Sequence, residues 1–183
     1  MKNIEPAEVN SFLKQMENSP LENYAIRGLT SSFIGGTNSG CVRLFEQTRE
    51  QLGDVTPHSH RFDLLCFVLQ GSVANKIYRE TGTELEGDRY LRTTELCTGP
   101  GKYTLRNPTK NQYYISTTDS YYCGQWYSMN YLEIHSIRFG RHTRVLFFEG
   151  EPKTDETFIL EPMDDSGVMS TFTTEEWMFR SRA

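Results

Sequence analysis

Thr56-Pro-His-Ser-His-Arg-Phe-Asp-Leu-Leu-Cys-Phe-Val-Leu-Gln-Gly71 is the stretch on which the reading of this chain turns. Residues two apart on a strand point to the same face, so His58 and His60 present two imidazoles side by side, a spacing that lets one metal ion take both. The run that follows closes on the turn pair Gln70-Gly71 and is apolar on both parities. Phe62, Leu64, Cys66 and Val68 lie on the histidine side, and Leu65, Phe67 and Leu69 on the other. Such a strand must be covered on both faces, one by a barrel interior and the other by a terminal segment or a second subunit. A homodimer is therefore expected.

Working outward, short runs rich in aromatic and β-branched residues recur: Ser32 to Ile34, Cys41 to Phe45, Leu64 to Leu69, Val73 to Tyr78, Tyr103 to Leu105, Tyr113 to Ser116, Tyr122 to Tyr127, Tyr131 to Phe139 and Arg144 to Phe148. Turn signals separate them at close intervals, among them Gly35-Gly36, Gly87-Asp88, Gly99-Pro100-Gly101, Asn107-Pro108 and Gly140. This pattern predicts a mainly β fold, an antiparallel sandwich or barrel over about residues 26–150. Ahead of it, Ala7, Val9, Phe12, Leu13 and Met16 recur at helical spacing behind Pro6, which predicts an amphipathic helix over residues 6–18. After it, residues 151–183 read as a covering segment with one extended piece, Thr157 to Leu160, and a closing turn carrying Trp177.

A chain of 183 residues fits one domain with a substantial core. Its net charge of −5, with both signs interspersed, gives no basic surface for nucleic acid or an anionic membrane, and the expected partner is a small molecule. No apolar run approaches the roughly 20 residues of a membrane span, and the N-terminus lacks the apolar core of a secretion signal, so the expected location is cytoplasmic. Cys41, Cys66, Cys97 and Cys123 are widely spaced and form no Cys-x-x-Cys pair, which fits free thiols in a reducing compartment. Cys66 shares parity with the two histidines and reads either as a cavity-lining group or as a small buried hydrophobe.

A third histidine, His135, lies in the strand-like stretch Tyr131-Leu-Glu-Ile-His-Ser-Ile-Arg-Phe139. With His58, His60 and Gly71 this resembles the cupins. Their first motif runs His-x-His, then a glutamate, then a glycine, and here His58, His60 and Gly71 fall in register while Leu64 stands where the glutamate would be. Asp63 is adjacent but on the opposite parity of an unkinked strand, so a bulge would be needed to bring it round. In the stretch aligned with the second motif, Asn130-Tyr-Leu-Glu-Ile-His135, the histidine is kept and the proline and glycine are not. The resemblance implies a single-domain jelly roll with His58, His60 and His135 as metal ligands. Loss of the carboxylate points toward three-histidine iron enzymes. Val68-Leu-Gln-Gly-Ser-Val73 resembles the corresponding hairpin of thiol dioxygenases, with one residue fewer between the second histidine and the glycine. Iron(II) is the first expectation for the metal, with zinc, manganese and nickel as alternatives.

Neutral imidazoles suit any of these ions, and three of them leave positions open for substrate, water or oxygen. Three readings follow: a metal-dependent dioxygenase, a metal-dependent isomerase or lyase, and a noncatalytic cupin that binds a ligand or another protein. His142, beside the Gly140 turn, reads as a surface residue or one that supports a ligand from behind, not as a ligand itself. Tyr113, Tyr114, Tyr121, Tyr122, Trp126, Tyr127 and Tyr131 read as core and strand surface or as a stacking platform for an amphipathic ligand. Arg61, Arg79, Arg138 and Arg144 are candidate anchors for a substrate carboxylate.

Overall fold

The computed structural model describes residues 18–21, 26–37, 40–51, 53–83, 87–99 and 102–163. Eleven strands run through them: β1 (Asn18–Leu21), β2 (Leu29–Thr37), β3 (Gly40–Gln47), β4 (Leu64–Gln70), β5 (Ser72–Glu80), β6 (Asp88–Gly99), β7 (Lys102–Tyr122), β8 (Trp126–Met129), β9 (Ile134–Phe139), β10 (Thr143–Glu149) and β11 (Glu156–Pro162). They form two antiparallel sheets, one in the order β1-β2-β3-β10-β4-β8 and the other β11-β6-β7-β5-β9. The mainly β expectation holds, in two antiparallel sheets. Among the described residues there is no helix. Most of the segment expected to be helical, residues 6–17, lies outside them, and its last residue, Asn18, opens β1 instead. Residues 164–183, including Trp177, also lie outside.

The doubly apolar strand behaves as its pattern requires. Leu64, Cys66 and Val68 of β4 are buried in a cluster with Phe45, Val73, Ile137 and Phe147, drawn from both sheets. On the opposite face, Phe67 and Leu69 pack with Leu44 and Leu146, while Leu65 is 44% exposed. The turn from β4 into β5 uses Gly71 at φ +75°, a left-handed conformation costly for a residue with a Cβ. A Cβ there would also stand 2.4 Å from Thr143 Oγ1. That hydroxyl is committed, donating to the Ser72 carbonyl at 2.9 Å and accepting from the Ser72 N–H at 3.1 Å.

Some boundaries differ from expectation. Tyr122 to Tyr127 is not one strand: Cys123 and Gly124 turn the chain between β7 and β8, with Gly124 at φ +86°. Asn107-Pro108 marks no turn. Both lie within β7, where the pairing moves from Thr94↔Arg106 to Arg92↔Thr109, so two residues oppose Thr93 alone. Such a bulge takes a proline because one residue there has no ladder partner for its N–H. The extended piece at Thr157 to Leu160 belongs to β11, which pairs along β6 from Glu156↔Leu96 to Pro162↔Tyr90.

The segment carrying His58 and His60 is assigned to no strand, yet it closes the second sheet. His58 bridges antiparallel to His135 of β9 on one side and to Ile159 of β11 on the other. The backbone bonds are paired: His58 N–H to the His135 carbonyl at 2.8 Å and the reverse at 2.9 Å, then Ser59 N–H to the Phe158 carbonyl at 2.9 Å and Leu160 N–H to the Pro57 carbonyl at 2.9 Å. Val55 N–H adds a bond to the Ile137 carbonyl at 3.1 Å and Lys153 N–H one to the Arg61 carbonyl at 2.7 Å, while Pro57 has no N–H to give.

Candidate metal centre

Direct bridge partners share a face, so the His58–His135 pairing turns those two side chains the same way, and His60 follows by the two-residue repeat. The ring centroids are 4.8 Å apart for His58 and His60, 4.9 Å for His58 and His135, and 5.1 Å for His60 and His135. One ligating atom from each lies within 4.8 Å of the others, and among the described residues this trio is the group of metal-ligating side chains so clustered. His135 is buried at 1% exposure, while His58 and His60 are half-buried. The three residues singled out from the sequence therefore converge.

Hydrogen bonds assign their protons. Nδ1 of His135 lies 2.6 Å from Oδ1 of Asn75, and Nδ1 of His58 lies 2.7 Å from the Thr56 carbonyl. Both oxygens only accept, so each Nδ1 carries the proton and each Nε2 keeps its lone pair. That outward-facing Nε2 with a tied-back Nδ1–H is how imidazole ligands are commonly oriented. Burial, and secondarily the neighbouring His60, hold His135 well below the usual imidazole range, which keeps it neutral. Nε2 of His60 stands 2.9 Å from Nε2 of His135 and donates to it. Two nitrogens bound at about 2.1 Å to one ion with a right angle between the bonds stand about 3.0 Å apart, so this pair already has the spacing of neighbouring ligands. The donor set fits a divalent ion that accepts imidazole. Binding requires the His60 proton to move to Nδ1 or leave.

The other candidates do not join the cluster. Asp63 turns away: Oδ1 accepts from the Tyr131 N–H at 3.0 Å, Oδ2 pairs with Lys153, and these contacts hold its carboxyl below the usual range. Cys66 is a core residue whose thiol burial pushes up to about 12, and all four cysteines are free thiols. Arg61 donates to the Thr154 carbonyl and to Cys97 Sγ, Arg138 pairs with Asp54 at 2.7 Å, and Arg144 pairs with Glu46 at 2.6 Å. Arg79 is exposed near the end of β5. These arginines do not converge on the histidines. Nor do the tyrosines form one platform: Tyr121 stacks on Tyr127 at 4.4 Å, Tyr114 packs edge-on against Tyr90, and Trp126 stacks on Phe67 of the first sheet. His142 is exposed at φ +58° in the β9–β10 turn, the surface position expected of it. A shallow groove of about 500 Å³ runs along the β4–β8 edge, lined by Asp63, Leu64, Met129 and Asn130 among others, and includes none of the histidines.

Two contributors escape sequence reading. The Thr56 carbonyl is main chain and carries no residue signal. Asn75 does leave one: asparagine is disfavoured inside strands, and here it sits between Val73 and Ile77 on the inward parity of β5.

No protein-family model matches this chain, and no curated protein is similar to it. Among solved structures it is similar to KdgF from Halomonas sp., with a TM-score of 0.42 and 12% identity over 73% of this chain and 88% of that one. It is also similar to an acetylacetone dioxygenase from Acinetobacter johnsonii, with a TM-score of 0.35 and 14% identity over 84% and 76% of the two chains. An RmlC-like cupin from Shewanella frigidimarina gives 0.37 and 11% over 85% and 91%. Proteins of cupin type are thus among its structural neighbours.

Proposed function

We propose that this protein binds a divalent metal through His58, His60 and His135 and uses it in oxygen-dependent chemistry on a small molecule, with iron(II) the first candidate and zinc, manganese or nickel the alternatives. The observation that carries the reading is the convergence of three imidazoles, two of which have Nδ1 tied to an acceptor and the proton held there, so that Nε2 keeps its lone pair. Bound there, an ion of this kind supplies an electron-accepting centre with positions left open beside three neutral ligands. The chain's own contribution is orientation and exclusion of water. Asn75 and Thr56 fix the two Nδ1 protons, Phe62 stacks near His60 at 5.8 Å, and the buried wall at His135 keeps bulk solvent from that side.

The test is metal content by mass spectrometry on protein purified without an affinity chelate, beside a variant with all three histidines changed to alanine. Near-stoichiometric iron that is lost in the variant, followed by oxygen uptake in a screen beginning with small thiols, is the expected result. Zinc or manganese without oxygen uptake would move the reading to an isomerase or lyase. One observation favours the noncatalytic alternative: His60 and His135 already satisfy each other at 2.9 Å. No metal even after anaerobic iron loading would establish that alternative and overturn the proposal.

A further inference from the structure

Asn75 is 2% exposed on β5, and a buried amide left unpaired there would cost on the order of 1–3 kcal/mol. Its placement follows from register. Ile77 pairs with His135 and Asn75 with Ile137, so Asn75 and His135 are diagonal neighbours on one face of the β5–β9 ladder, within reach of a side-chain contact. Oδ1 accepts from His135 Nδ1 at 2.6 Å, and Nδ2 donates to Met129 Sδ at 3.3 Å. The thioether, which only accepts, selects the amide orientation that turns Nδ2 to Met129 and Oδ1 to His135, and Oδ1 in turn requires the proton on His135 Nδ1.

Resting on the metal reading above, we propose that Asn75 is the positioning residue of the centre: its amide, set by Met129 Sδ, keeps the His135 proton on Nδ1 and so aims the bare Nε2 toward His60. A leucine at this position has the same number and branching of side-chain heavy atoms, though a larger volume, and no acceptor, so the His135 ring loses the contact that selects its tautomer. An aspartate keeps an acceptor oxygen for His135 Nδ1, loses the bond to Met129 and adds a buried carboxylate that also favours a proton on Nδ1.

The experiment reads the His135 ring nitrogens by ¹⁵N NMR in the metal-free protein, together with iron(II) affinity. In the parent protein His135 is expected as the Nδ1–H tautomer. Asn75→Leu is expected to give a mixture of tautomers and a loss in metal affinity of about 10- to 100-fold, with the strand signature in circular dichroism retained. Asn75→Asp is expected to restore the single tautomer. A parent His135 protonated on Nε2, or an Asn75→Leu protein with one Nδ1–H tautomer and parental affinity, would overturn the proposal. The two claims separate cleanly: if the parent protein takes up no metal, the metal reading fails, while the metal-free tautomer measurement still decides the role of Asn75.

Discussion

The three histidines meet from two walls built differently. His135 belongs to β9, a regular strand paired with β5 from Val73↔Phe139 to Tyr78↔Ile134. His58 and His60 belong to a segment outside the named strands, held by single bridges to β9 and β11. The first wall is buried and its imidazole is tied to a buried amide. The second is half-buried and its anchor is a neighbouring main-chain carbonyl. A trio spread over as much as 4.8 Å must contract to hold one ion, since adjacent ligands stand about 3.0–3.4 Å apart. The segment is held by scattered bonds outside a regular ladder, Val55 to Ile137 and Lys153 to Arg61 among them, so a contraction would fall on it before β9, which cannot shift without disturbing a ladder.

If the walls differ in this way, alanine at the three positions will separate stability from metal binding. His135→Ala opens a hole in a dry core and strips Asn75 Oδ1 of its donor, for an expected loss of about 2–4 kcal/mol in urea unfolding. His58→Ala and His60→Ala, at half-buried positions, are expected to cost under about 1 kcal/mol, although each removes the bound metal as completely as His135→Ala does. Equal destabilisation at all three would erase the distinction between the walls.

The next effect sits where the rigid part of the fold is pinned. Gly71→Ala forces a Cβ into the left-handed region and against Thr143 Oγ1. An expected loss of roughly 1–3 kcal/mol follows, with metal stoichiometry kept in the protein that remains folded. Metal loss without loss of stability would instead couple this turn to the loose segment.

A third measurement addresses the electrostatic contrast in metal-free protein. In the folded chain His135 is held below the usual imidazole range, chiefly by burial, so the unfolded chain binds the extra proton as pH falls through about 6.5. Stability is therefore full above that pH and declines below it, by up to about 1.4 kcal/mol per pH unit, until the folded imidazole itself protonates. Unfolding midpoints taken between neutral and mildly acidic pH should fall more steeply in the parent than in His135→Gln. Parallel curves would mean that His135 titrates freely, against its burial.

Much of this contrast is legible in the sequence, for physical reasons that also explain where reading stops. The two-residue spacing of His58 and His60 and the doubly apolar run after them are pattern, and pattern survives without coordinates. His135 is readable as the third imidazole only through the cupin resemblance, because pairing across 77 positions is set by strand order, not by local preference. β6 leaves little trace: Asp88 to Gly99 is largely polar, and it is strand because β7 and β11 pair on either side of it. The Asn107-Pro108 signal misleads because a bulge absorbs a proline as readily as a turn does. Asn75 carries a signal of disfavour alone, and its partner becomes visible only with the β5–β9 register.

The smallest expected effect concerns Asp63, the carboxylate adjacent to the position where the cupin pattern has its glutamate. It turns away from the histidines just ahead of β4, after the bend at residues 61–62, and the irregularity in β4 lies at Leu69, toward its other end. Its oxygens instead tie the Tyr131 main chain and Lys153 together at the surface, with the Lys153 ammonium 5.6 Å from the Tyr131 ring centroid. Exposed pairs of this kind contribute little because water solvates both partners almost as well apart. Asp63→Asn keeps an oxygen for the Tyr131 N–H and removes the charge, so it should lower the melting temperature less than any change above and leave metal content at the parental level. A fall in metal content comparable to that of His58→Ala would mean that the segment closes far enough on loading to recruit this carboxylate, and the three-histidine set would become a three-histidine, one-carboxylate set. That outcome would enlarge the movement assigned to the loose wall, whereas an unchanged content confines it to the imidazoles.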